Sequence, residues 1–231
     1  MKATPLPVED DRGRADAAPD GTRRRVLHAA LGAAVLGVPA FATARGGLPP
    51  ITEGPFYPPA SWRARTLDVD ADLTTVRSGN GSAQRALGEH LDLLGVVSDA
   101  DGRTIDGATV EIWQCDVFAS YRHPHGAGAR VDAGFQGFGE SRSDARGAVR
   151  FRTIRPVAYP GRTPHIHVKV RHPSFGELTS QLFVAGEPGN ARDGLWRSLP
   201  PEAQARVAMA LRAAPAGSGV RWVVEQALVV G

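Results

Sequence analysis

The stretch richest in reactive side chains is Tyr159-Pro160-Gly161-Arg162-Thr163-Pro164-His165-Ile166-His167-Val168-Lys169-Val170. If His165 to Val170 runs as a strand, His165 and His167 share one face while Ile166 and Val168 share the other. Two residues at about 3.3 Å rise put the histidine α-carbons about 6.6 Å apart, close enough for both imidazoles to converge on one metal ion. A His-x-His pair also occurs in ordinary half-exposed strands. On these residues alone, metal ligation and a plain strand stand side by side.

The rest of the chain narrows what such a metal could be. No Asp or Glu on the His165 strand completes a two-histidine, one-carboxylate set, and the single cysteine cannot build a thiolate site. The chain has three tyrosines, Tyr57, Tyr121 and Tyr159. A trivalent cation held by two neutral imidazoles still needs anionic ligands, and phenolate is the available one. Tyrosine has a reference pKa of about 10, so it ionises here only because the cation stabilises the anion. Hard oxygen donors of this kind suit a hard ferric ion. The alternative is that Tyr121 and Tyr159 are amphipathic packing residues.

Those side chains have to be presented by a scaffold. Runs of strand character span His90 to Ser98, Thr109 to Gln114, Ala148 to Ile154, His165 to Arg171, Leu178 to Val184 and Val220 to Val230. Asp99-Ala100-Asp101-Gly102, Asp106-Gly107 and Asp144-Ala145-Arg146-Gly147 are turn signals between them. Helical spacing is confined to Pro201 to Ala213, ahead of Ala214-Pro215. The Pro-rich segment from Leu48 to Arg65 is expected as a non-helical, extended arm, and Ser78 to Ala83 as a flexible loop. The pattern is that of an all-β protein, a β-sandwich with little helix.

Composition agrees with a folded chain and excludes some classes. Of 231 residues, 42% are hydrophobic, too many for a wholly disordered chain. One cysteine rules out an intramolecular disulfide framework. The formal charge is +3, and apart from Arg23-Arg24-Arg25 the basic residues are scattered, so no nucleic-acid partner is expected.

The N-terminus reads as an address. Residues 1–21 are polar and lack periodicity, and a disordered lead is expected there. Thr22-Arg23-Arg24-Arg25-Val26-Leu27-His28 is followed by an apolar run from Ala29 to Phe41 and by Ala42-Thr43-Ala44. That is a basic region, a short apolar region and an A-x-A cleavage pattern, the layout of a signal peptide. The run is shorter than the ~20 residues that span a bilayer. The arginine pair resembles a twin-arginine export signal, a route that carries proteins already folded. The expectation is a signal segment over 1–44, then one domain over 45–231, exported through the twin-arginine translocase to the periplasm or the exterior.

Several motifs in one order resemble the intradiol ring-cleavage dioxygenases, the family of catechol and protocatechuate 3,4-dioxygenases. They are Tyr159 to Val170, Val110-Glu111-Ile112-Trp113-Gln114 leading to Tyr121, Gly147 to Pro156, Leu178-Thr179-Ser180-Gln181-Leu182-Phe183 and the arm from Thr52 to Pro58. The resemblance implies one non-haem Fe(III) per chain, bound by Tyr121, Tyr159, His165 and His167, with Tyr159 the ligand displaced when substrate binds. It implies that Arg162 stabilises the activated ring and that Gln181 lines the ring and oxygen pocket. The implied reaction cleaves a catechol-type ring between its two hydroxyl-bearing carbons with O2, giving a cis,cis-muconate. Ser120 stands where Gly is usual, and the connection from Tyr159 to His165 is short, with Gly161 in it; these departures bear on which catechol is used. His123 and His125 are expected as loop residues, Cys115 as a small buried residue, and Tyr57 either packs or approaches the pocket.

Two other readings remain at this level. A secreted β-sandwich binding module could share the scaffold without the activity, since a fold does not set a function. A site holding another metal for hydrolysis would need a carboxylate base that the motifs do not supply.

Overall fold

The computed structural model of the chain describes residues 46–231 apart from 67 and 78. The signal-like segment therefore lies outside the described residues. No helix among the described residues is long and apolar enough to cross a membrane.

The elements run in the order α1 (Ala60–Thr66), β1 (Thr75–Arg77), β2 (Ala83–Arg85), β3 (His90–Asp99), β4 (Thr109–Trp113), β5 (Phe138–Arg142), β6 (Ala148–Ile154), β7 (His165–His172), β8 (Gly176–Val184), α2 (Gly194–Ser198), α3 (Pro201–Val207), β9 (Ala208–Met209), β10 (Arg212–Ala213) and β11 (Trp222–Val230). They build a β-sandwich. One sheet has the order β10-β11-β3-β6 and the other β5-β4-β7-β8-β9, with β1 and β2 as a separate hairpin. Most neighbours are antiparallel; β11 runs parallel to β3 from Trp222 opposite Leu91 to Val230 opposite Asp99, and β9 runs parallel to β8.

Alternation explains why these segments pair as they do. In β7, Ile166, Val168 and Val170 are fully or almost fully buried in the core, and in β11 Val224, Leu228 and Val230 are. Leu93, Val149, Phe151 and Leu228 of one sheet meet Val110, Ile112, Val168 and Leu182 of the other around a void of about 10 Å³. Burial of such side chains, about 1.5–3 kcal/mol each, is the main force closing the sandwich. A one-residue slip of β7 would turn this apolar set outward, so the core also sets which face the histidines occupy.

Three expectations need correction. The Pro-rich segment is extended only as far as Pro59: Leu48 N–H bonds to Val229 O and Ile51 N–H to Thr179 O, and then α1 forms over residues expected to be non-helical. Prolines ahead of a first turn do not disrupt it, and Arg63 N–H reaches back to Pro59 O. The late helix stops at Val207 instead of reaching Ala213, because Ala208–Met209 pair with β8 and Arg212–Ala213 with β11. Alanine favours helix, but propensity amounts to less than about 1 kcal/mol per residue and tertiary pairing with β8 and β11 overrides it. Finally, Ala83, expected as the end of a flexible loop from Ser78, is the first residue of β2 opposite Arg77, and residues 79–82 are the turn of the β1–β2 hairpin, where Asn80 Oδ1 accepts from Ser82 N–H at 3.1 Å. The strand β5 (Phe-Gly-Glu-Ser-Arg) was not visible in the sequence because it alternates poorly; it forms as the partner of β4.

Candidate metal centre

β7 points His165 and His167 away from the core, toward a face of the five-stranded sheet that the arm and neighbouring loops cover. The two residues are 2% and 3% exposed. Their Nε2 atoms lie 3.2 Å apart, and the Tyr121 hydroxyl lies 3.2 Å from His167 Nε2. Donors about 2.1 Å from a shared cation and at right angles to one another are roughly 3 Å apart, so these atoms have the spacing of neighbouring ligands on one ion. Tyr159 closes the group, its ring 5.8 Å from that of Tyr121 and 5.5 Å from that of His165.

The protonation states suit this role. His165 Nδ1 is 2.7 Å from Thr163 O, which can only accept, so Nδ1 carries the hydrogen and Nε2 keeps its lone pair. Burial, and then the Arg162 cation, lower His165 to about 4; burial, then His165 and Arg162, hold His167 well below the usual histidine range. Both rings are therefore neutral donors. His167 Nδ1 is buried without a hydrogen-bond partner among the described residues, and its ring plane is set instead by stacking on Trp113, 4.7 Å away at 9°. Burial, and then the neighbouring Tyr159, push the Tyr121 phenol far up. Without a cation Tyr121 stays neutral; a trivalent ion would reverse that balance. Among the described residues no three His, Cys, Asp or Glu gather as a metal group, so any ion here depends on the tyrosines. Two neutral imidazoles and two phenols fit a hard ferric ion.

Local structure explains how each donor arrives. Tyr159 and Arg162 are the ends of a Pro160-Gly161 turn, bonded to each other through Arg162 N–H to Tyr159 O (2.8 Å) and Tyr159 N–H to Arg162 O (3.2 Å). Gly161 has φ +81°, which such a turn requires at its third position, so the short connection is a tight turn that sets Tyr159 and Arg162 side by side. Tyr121 follows a loop organised by Asp116, whose carboxylate accepts from the N–H groups of Phe118, Ser120 and Asp132. These bonds hold Ala119 at φ 62°, rare for a residue with a β-carbon. The Ser120 hydroxyl accepts from Gly128 N–H (2.9 Å) and donates to Arg130 O, tying the loop down beside Tyr121. Phe56 of the arm stacks on Tyr121 at 4.7 Å. The arm backbone also passes over His167: a β-carbon on Gly54, which has φ +75°, would lie 3.5 Å from His167 Cε1.

Arg162 and Gln181 complete the site. Gln181 sits opposite His167 in the β7–β8 register. The guanidinium of Arg162 donates to Gln181 Oε1 (2.5 Å) and Asp193 Oδ2 (2.8 Å), with Nη1 3.4 Å from the Tyr159 hydroxyl. Gln181 Nε2 in turn donates to Thr52 O at 2.9 Å. All six residues singled out in the sequence, Tyr121, Tyr159, Arg162, His165, His167 and Gln181, thus meet in one place. Tyr57 does not: its hydroxyl donates to Glu111 Oε2 at 2.7 Å, which is a packing role. His123 packs on Phe56 and Trp62, and His125 is exposed. Cys115 is buried, its thiol pushed up to about 12 by burial and then by Asp116.

Sequence reasoning missed Trp113, Asp116 and Asp193. Trp113 could have been found, since it lies opposite His167 in the β4–β7 register and so shares its face. Asp193 before Gly-Leu-Trp is a helix N-cap signal, but nothing local ties it to Arg162, 31 residues earlier.

Comparison with known proteins places these features. Residues 53–225 match the protein family described as Dioxygenase. The chain is 34% identical over 148 residues to the protocatechuate 3,4-dioxygenase beta chain of Burkholderia cepacia, covering 60% of this chain and 62% of that one. It is 29% identical over 135 residues to the hydroxyquinol 1,2-dioxygenase of Corynebacterium glutamicum, covering 51% and 43%. The chain therefore spans less than two thirds of the length of these curated relatives. Among solved structures, it is similar to the dioxygenase domain of a dioxygenase carbohydrate-binding protein fusion from Streptomyces sp. SirexAA-E, with 29% identity and a TM-score of 0.58 over 80% of this chain and 98% of that one. The intradiol ring-cleavage dioxygenase from Tetranychus urticae shares the fold at 19% identity, with a TM-score of 0.60 over 80% of this chain and 95% of that one. The family match takes in the arm from Glu53 onward and every donor residue of the centre, and the protein belongs to the intradiol dioxygenase family.

Proposed function

We propose that the protein is a non-haem Fe(III) dioxygenase that cleaves a catechol-type ring between its two hydroxyl-bearing carbons, placing both atoms of O2 in a cis,cis-muconate product. The observation that carries this reading is the convergence of His165 Nε2, His167 Nε2 and the Tyr121 hydroxyl, with Tyr159 beside them. Tyr121, Tyr159, His165 and His167 would hold one iron per chain. The ion would supply Lewis acidity and an electron-accepting centre for the diol and oxygen.

The side chains account for the rest. His165 and His167 stay neutral through burial and leave the site's positive charge to the ion and Arg162. Tyr159, half-buried at one end of the Pro160-Gly161 turn, would be the group that takes a proton from the substrate diol at its phenol oxygen. The Arg162 guanidinium stands 3.4 Å from that oxygen and would stabilise negative charge developing on the ring. Gln181 offers its amide from the strand next to His167. Phe56, Gly54 and Trp113 wall off water.

The test is oxygen uptake with product identification over catechol, hydroxyquinol and protocatechuate, alongside elemental analysis. Stoichiometric iron, a visible tyrosinate-to-iron absorption and a muconate product are expected. A colourless protein that cannot be loaded with iron would leave the β-sandwich binding module as the better reading. The N-terminal pattern leads us to propose export by the twin-arginine route as well. Changing Arg23 and Arg24 to Lys should keep the chain in the cytoplasm; unchanged export would reject that route.

A further inference from the structure

We propose that Asp193 is a positioning residue of this centre, with one carboxylate that aims the Arg162 guanidinium and also fixes the backbone that orients His165. The inference rests on the dioxygenase reading only for its kinetic arm. Asp193 lies in the turn before α2, and its side chain is fully buried. Oδ2 accepts from Arg162 Nε at 2.8 Å and from Thr163 N–H at 3.0 Å. Oδ1 accepts from Leu195 and Trp196 N–H at 2.9 and 3.0 Å, so the same group caps α2.

Each bond passes an orientation onward. A guanidinium is planar, so fixing Nε fixes the directions of both Nη groups. That is what turns Nη2 to Gln181 and Nη1 to the Tyr159 hydroxyl. The Thr163 N–H bond holds the residue whose carbonyl takes the His165 Nδ1 hydrogen at 2.7 Å, which selects the tautomer with a free Nε2. Thr163 is pinned a second time, through its hydroxyl to Asn190 Oδ1 at 2.8 Å. Burial works against the Asp193 carboxylate, yet the bonds from Thr163, Trp196 and Arg162 prevail and hold it below the usual range, so it is ionised. A residue serving only as a helix cap would need neither its second oxygen nor its charge.

Asp193→Asn and Asp193→Ser separate the two roles, because both residues cap helices about as well as Asp. In the metal-free, 15N-labelled protein, the Arg162 Nε–H resonance should exchange slowly in the wild type. In both variants it should shift or broaden, while the Leu195 and Trp196 amides remain protected. With iron loaded, kcat on catechol should fall about tenfold with KM little changed and iron content retained, the pattern of an interaction made mainly in the transition state. An unmoved Nε–H resonance overturns the proposal, and so does unchanged kcat when the resonance is lost. A wild-type protein that oxidises none of catechol, hydroxyquinol and protocatechuate, while the resonance still responds to both variants, refutes the dioxygenase reading and leaves the tether standing.

Discussion

The outward face of the five-stranded sheet holds two polar regions under one arm, and they are solved in opposite ways. Toward one end, Glu111 is 1% exposed and accepts from Tyr57 (2.7 Å), Arg63 (3.1 Å) and Arg171 (2.7 Å), while Lys169 pairs with Glu53 and Glu177 under the Tyr57 ring. Every charge there meets an opposite one. Toward the other end, His165, His167 and Tyr121 are almost as buried but neutral, with Tyr159 half-buried beside them, and the two Nε2 atoms and the Tyr121 hydroxyl converge with no opposite charge among them. Buried polar groups are ordinarily satisfied within the protein. The first region follows that rule and fastens the arm; the second leaves room for a cation to complete it. The arm touches both, through Glu53 and Tyr57 in one and through Gly54 and Phe56 in the other.

Variants should separate the two regions. The largest expected effect is His167→Ala: turnover should drop on the order of a thousandfold, matching the several kcal/mol a bound metal contributes. Iron content by elemental analysis should fall with it. Chelating iron from the wild type should lower its melting temperature, since a ligand that binds only the native state stabilises it, whereas the His167→Ala protein should not respond. Next comes Glu111→Ala, which takes from Arg63 its carboxylate partner and leaves Arg171 only Glu140 at 3.8 Å, and should cost about 3 kcal/mol in urea unfolding. Iron stoichiometry should remain at one; if iron were lost instead, the two regions would not be independent.

Tyr159→Phe should keep iron, alter the visible band and reduce kcat about a hundredfold, the contribution of a positioned proton acceptor. A spectrum identical to wild type would exclude Tyr159 as a ligand. The smallest effect belongs to Gly161→Ala. A β-carbon there meets no atom within 4 Å, so the cost is the left-handed backbone alone, about 1 kcal/mol, measurable by denaturant unfolding. A loss several times larger would show that the Tyr159–Arg162 turn carries more of the fold than its two cross-bonds suggest.

Much of this was legible in the residues and some was not. The strands holding the core were readable because apolar residues alternate within each of them, as Ile166, Val168 and Val170 do. The histidine pair was readable for the same reason. The helix expected through Ala213 failed because alanine spacing in a short window carries no information about β8 and β11, which claim Ala208–Met209 and Arg212–Ala213. The role of Asp116 was hidden because it acts through backbone N–H groups, which leave no mark in residue types, and that of Asp193 because its side-chain partner Arg162 lies 31 residues away.

The sequence by itself determined the local geometry: two imidazoles on one face of a strand, a Pro-Gly turn setting Tyr159 beside Arg162, and motifs ordered as in one enzyme family. Only the tertiary structure decided that Tyr121 meets His167 across 46 positions, that Gln181 and Asp193 grip one guanidinium, and that the arm seals the centre. The physical reason is range. Periodicity and turn chemistry are written within a few neighbouring residues, whereas convergence of distant side chains depends on how two sheets pack and which face that packing leaves covered.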